Sequence, residues 1–80
     1  MAQQTQQSLD RIDALLDEVS TSKSRILQAM IWLEDMADFD EMNAVWDAWL
    51  PTVSSPARAC GESKLAGNGY TVEIVVIAAA

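Results

Sequence analysis

The 80-residue sequence predicts an α+β domain in which two helices cover one face of a sheet. Two observations on the residues carry this. Apolar positions recur at helical spacing in two separate stretches, Thr5 to about Val19 and Asp38 to about Leu50. Two segments rich in β-branched and small residues, Ala57 to Leu65 and Tyr70 to Ala79, then read as strands.

In the first helix Leu9, Ile12, Leu15, Leu16 and Val19 make the apolar side, with Asp10, Asp13, Asp17 and Glu18 mostly opposite. Its Gln-rich beginning carries no functional reading. Ser20-Thr21-Ser22-Lys23-Ser24 ends the pattern, because these side chains compete for backbone hydrogen bonds. In the run from Arg25 to Leu33, an extended chain puts Ile26, Met30 and Trp32 on one face and Leu27, Ala29, Ile31 and Leu33 on the other. Apolar on both sides, the run suits a strand covered on two faces, while its Leu, Gln, Ala and Met suit a helix. The residues alone leave both open.

The second helix opens on Asp38 as N-cap, with Glu41 placed three positions later as in a capping box. Met42, Val45, Trp46 and Trp49 form its core stripe, and Pro51 stops it. Thr52-Val53-Ser54-Ser55 is a loop. Ala66-Gly67-Asn68-Gly69 is expected to join the last two strands as a hairpin, with glycine where positive φ is needed.

Composition excludes several function classes. A net charge of −7 with five Lys and Arg argues against binding nucleic acid or an anionic membrane surface. No run approaches the roughly 18 apolar residues of a membrane span, and Met1-Ala2-Gln3-Gln4 lacks the features of a signal peptide, so a cytoplasmic location is expected. A single cysteine allows no internal disulfide. Without histidine, the commonest metal ligand and the usual neutral-pH acid–base group are both missing, and no metal site is expected. Gly61, Gly67 and Gly69 make no phosphate-binding loop. Any catalysis rests on carboxylates, Arg58, backbone amides and water.

Arg58, in Pro56-Ala57-Arg58-Ala59-Cys60, and Glu73, inside the apolar run from Thr71 to Ile77, read as two buried charges of opposite sign. An unpaired buried charge is costly. Arg58 therefore calls for an acid such as Glu73, Glu62 or one on a neighbouring chain, or for a ligand carboxylate that its planar fork can engage.

These motifs resemble the Rid family (RidA/YjgF), whose late strand carries Pro-Ala-Arg and whose last strand carries Val-Glu-Ile. Leu9-Asp10-Arg11-Ile12-Asp13-Ala14-Leu15-Leu16, Ser22-Lys23-Ser24-Arg25-Ile26-Leu27 and Asp38-Phe39-Asp40-Glu41-Met42-Asn43-Ala44-Val45-Trp46 follow the family in order and spacing. The likeness covers nearly the whole chain, read as a single partial domain over residues 1–80 that corresponds to about two thirds of a Rid domain. The strand hairpin that opens family members has no counterpart here. The resemblance makes Arg25 to Leu33 a strand, and implies a chorismate mutase-like fold with order helix, strand, helix, strand, strand and a mixed sheet.

It further implies a homotrimer with ligand clefts between subunits, and cofactor-free hydrolysis of enamines or imines of the 2-aminoacrylate and 2-iminobutanoate type to 2-keto acids and ammonia. Arg58 would hold the substrate carboxylate, Glu73 would activate water, the backbone amide of Cys60 would line the cleft, and Asn43 would lie near it. The Cys60 side chain, with no activating base in view, reads as a small packing residue. The alternative is a small 2-keto-acid-binding or interaction module of the same fold without turnover. Trp32, Trp46 and Trp49 read as packing.

Overall fold

A computed structural model describes residues 2–50, 56–66 and 69–79. The elements are α1 (Ala2–Glu18), β1 (Ile26–Leu33), α2 (Phe39–Trp49), β2 (Ala57–Glu62) and β3 (Val72–Ala78), with short 3-10 turns at Lys23–Arg25 and Met36–Asp38. The predicted order and the mixed sheet are both present. The loop expected at Thr52 to Ser55, Pro51 as the expected helix stop, and the Gly67-Asn68 centre of the expected hairpin lie outside the described residues.

α1 begins at Ala2, three residues earlier than expected. Gln4 explains part of this, because its amide is tied to the segment before β3: Nε2 donates to the Gly69 carbonyl (2.7 Å), and Oε1 accepts from the Thr71 N–H (2.8 Å) and hydroxyl (2.9 Å). The Ala2 N–H donates to Glu41 Oε1 (2.6 Å), tying the helix start to α2. The buried stripe is Thr5, Leu9, Ile12 and Leu16. Leu15 and Val19 are exposed, contrary to the sequence reading. At about 100° per residue, Leu15 falls on the flank of that stripe, and Val19 lies past the helix end.

β1 is the central strand, parallel to β2 and antiparallel to β3 in the order β2-β1-β3. A register shift between Ile26 and Gln28 makes Leu27 an extra residue. The bulge turns Ile26 into the core with Ala29, Ile31 and Leu33 and leaves Leu27 exposed, reversing the faces expected for those two residues. The expected hairpin between the last two strands does not exist, since β1 lies between them. The connection instead crosses the end of β1, held there by Ser63 N–H to the Leu33 carbonyl (2.9 Å) and Glu34 N–H to the Thr71 carbonyl (3.1 Å). Parallel pairing of β1 and β2 demands a crossover, which α2 supplies.

Asp38 is the N-cap of α2, but its side chain bonds no backbone amide there. The 3-10 turn runs straight into the helix and leaves Asp38 at φ −86°, ψ 1°, away from the extended geometry that aims a capping oxygen. Asp35 caps the turn instead, accepting from the Ala37 N–H (2.9 Å).

Met42, Trp46 and Trp49 pack with the α1 stripe over Ala29, Ile31, Leu33 and Val72. Ile74 and Val76 also pack against this core, which leaves the opposite face of the sheet bare. That face carries Met30, Trp32, Glu73, Val75 and Ile77, with Val75 49% and Ile77 55% exposed.

Candidate functional site

Pairing fixes where the charged residues go. On β2, Arg58 lies opposite Ala29 and Cys60 opposite Ile31, so both belong to the side of the sheet that the helices cover. β2 is an edge strand, and Arg58 reaches from it onto α2. Its Nη1 donates to Asn43 Oδ1 (2.7 Å), and its guanidinium carbon stands 5.9 Å from the Phe39 ring centroid and 5.7 Å from that of Trp46. Both distances fall within the range of cation–π attraction. Asn43 is held in turn by its Nδ2, which donates to Asp47 Oδ2 at 3.4 Å.

Arg58 is exposed, not buried as the sequence suggested, and among the described residues no carboxylate pairs with it. An edge-strand position explains the exposure: one flank of the side chain has no neighbouring strand to cover it. The internal ion pair with Glu73 or Glu62 is absent. Glu62 accepts from the Met36 N–H (3.1 Å). Glu73, also exposed, lies opposite Trp32 on the bare face of the sheet.

Arg58 and Glu73 are thus separated by a strand, by a sheet and by register. Strands about 4.8 Å apart and residues about 3.3 Å apart along a strand put their backbones on the order of 10 Å apart in each direction, with side chains diverging to opposite faces. One chain cannot bring both to a molecule the size of a 2-keto acid. Glu73 instead borders a hollow of about 310 Å³ at the free edge of β3, beside Leu65, Tyr70 and Ser8. A second hollow of about 560 Å³ continues along α1 past Gln4 and Arg11. Arg58, Asn43 and Cys60 border neither.

Cys60 is half-buried, and burial pushes its thiol above the ordinary value while the positive charge of Arg58 pulls the other way and loses. The thiol stays protonated at neutral pH and is no nucleophile. Among the described residues no cluster of acids and cysteine is arranged to hold a metal ion. No described helix is long and apolar enough to cross a membrane.

The sequence reading paired Arg58 with Asn43 and Cys60, and the structure brings these three to one side of the sheet. It missed Phe39 and Trp46 as neighbours of Arg58. The signal was present: Phe39, Asn43 and Trp46 stand at i, i+4 and i+7, one face of a helix.

The family model described as endoribonuclease L-PSP matches residues 1–80. The chain belongs to the endoribonuclease L-PSP family. A RutC family protein from Haemophilus ducreyi is 49% identical over 77 residues, covering 96% of this chain and 66% of its own length. A crystal structure of a Salmonella typhimurium protein superposes with a TM-score of 0.95 at 44% identity over 99% of this chain and 69% of its own. A Yersinia pestis protein of the Rid family, YyfA, superposes at 0.90 with 30% identity over 95% of this chain and 60% of its own. The Rid resemblance and the L-PSP family are the same relationship, and the chain spans about two thirds of the length of these relatives.

Proposed function

We propose that the chain takes part in hydrolytic deamination of small enamines and imines of 2-amino acids, giving 2-keto acids and ammonia. One observation carries the reading: a guanidinium held in place by uncharged partners, with no carboxylate of the described residues upon it. Such a group is prepared for an anion from outside, and two parallel hydrogen bonds to a carboxylate are what its fork fits best.

Hydrolysis then requires a water to add to the imine carbon, a proton to reach the nitrogen, and the carbon–nitrogen bond to break with release of ammonia as the carbonyl forms. Glu73 takes the proton from water and returns it to the leaving nitrogen. Because Glu73 and Arg58 of one chain diverge to opposite faces, the reading requires Arg58 from one subunit and Glu73 from another. The apolar bare face, with Val75 and Ile77 exposed, supports association of chains, which the reading takes as a homotrimer with clefts between subunits. β2, as an edge strand, has alternate amides directed away from β1; the Cys60 amide serves in this role, steadying charge that develops as water adds. The substrates are labile, so orientation and one proton relay suffice, and no cofactor is called for.

RNA cleavage, which the family's description names, gains no support from a charge of −7 and a chain without histidine. A second reading, binding of 2-keto acids without turnover, is favoured by one specific observation: within a single chain Arg58 and Glu73 lie on opposite faces of the sheet. A coupled assay separates the two. With a dehydratase generating 2-iminobutanoate, the enzyme reading expects keto acid and ammonia to appear faster than in buffer. Calorimetric binding of 2-oxobutanoate with no acceleration at saturating protein overturns it in favour of the binding module.

A further inference from the structure

The arrangement around Arg58 points to a role for α2 that rests on the reading of Arg58 as the carboxylate receptor. We infer that Asn43, Phe39 and Trp46 are positioning residues that present one particular edge of the guanidinium to the ligand. Nη1 is taken by Asn43 Oδ1 at 2.7 Å, and among the described residues nothing bonds Nε or Nη2. In a guanidinium, Nη1 lies on the side of Cδ, so the N–H groups of Nε and Nη2 form the other, side-on edge. That edge is a two-pronged donor with neither nitrogen bonded, whereas the end-on edge includes Nη1, which Asn43 already engages. A carboxylate therefore engages Nε and Nη2.

The partners are chosen so that the cation stays available. An amide oxygen satisfies Nη1 without neutralising the charge, which a carboxylate at the same place would do. The rings of Phe39 and Trp46, both within about 6 Å, hold a cation without competing for its N–H groups. Asp47 Oδ2 accepts from Asn43 Nδ2, which fixes the amide with its oxygen toward Arg58. The acid thus acts on the arginine through a neutral intermediary.

Substitution at Asn43 tests this, with 2-oxobutanoate as the probe in calorimetry and a thermal melt recorded for each variant. Asn43→Asp is nearly isosteric, so a merely structural asparagine would tolerate it better than Asn43→Ala. The positioning role reverses that order: Asn43→Ala loosens the arginine and lowers affinity several-fold, while Asn43→Asp puts a carboxylate on Nη1 and lowers affinity at least about tenfold without lowering the melting temperature. Phe39→Leu, which leaves the hydrogen bond intact, weakens binding by a smaller factor. If the wild-type chain binds and Asn43→Asp binds as well as Asn43→Ala or better, or the losses follow the drop in melting temperature, the positioning role is overturned and the receptor reading stands. If the wild-type chain does not bind the keto acid at all, both fall together.

Discussion

Arg58 stands exposed on the edge strand β2 with no carboxylate of the described residues upon it, a placement that Pro56-Ala57-Arg58 does not reveal, since the motif marks only an arginine in need of an anion. Replacing Arg58 by Ala is expected to abolish 2-oxobutanoate binding and any imine hydrolysis while leaving the oligomer size unchanged, as read by calorimetry, the coupled assay and light scattering. Cys60 gives a different kind of test. Its thiol is raised chiefly by burial, so the neutral form is favoured in the folded chain. The stability this lends is complete below the ordinary thiol range and is lost as pH rises through the higher folded value. Alkylation of Cys60 by iodoacetamide should accordingly be slow at neutral pH and accelerate only at more alkaline pH than for a free thiol. Fast labelling at pH 7 would mean an activated cysteine and a different chemistry. Gly61 is required for space: a Cβ there would stand 2.9 Å from Trp32 Cζ3, so Gly61→Ala must displace the indole. The expected cost is about 1–3 kcal/mol, with a shift in Trp fluorescence.

The helices and the strand segments could be read from periodicity and composition, while their partners could not. The stripe Leu9, Ile12 and Leu16 follows from helical spacing, as does the α2 stripe of Met42, Trp46 and Trp49. The glycines at 67 and 69 have hairpin composition, yet turn residues do not say which strand the chain will pair with next, and β1 took the place between β2 and β3. The bulge at Leu27 was equally hidden, because one extra residue reverses faces without changing composition. The two helices are joined by a bond that sequence spacing cannot show: Trp49 Nε1 donates to Asp13 Oδ2 at 2.8 Å, and Lys23 lies over the same indole at 5.1 Å. Asp13→Ala leaves a buried indole N–H without its acceptor and should lower stability by about 1–2 kcal/mol in urea unfolding. An unchanged midpoint would show that the link contributes nothing.

For the whole molecule, the bare face of the sheet and the divergence of Arg58 and Glu73 have a common resolution in assembly. On the proposed reading, Val75→Lys or Ile77→Glu disperses the oligomer and removes activity with it, although neither residue lies beside Arg58. The most direct measurement mixes two inactive variants. Arg58→Ala chains keep Glu73, and Glu73→Ala chains keep Arg58; refolded together in equal amounts, they rebuild a site wherever one of each adjoins in the right order. Random assembly then restores about one quarter of the wild-type rate of keto acid release. A mixture that forms mixed oligomers yet hydrolyses no faster than either variant alone would contradict a site shared between chains.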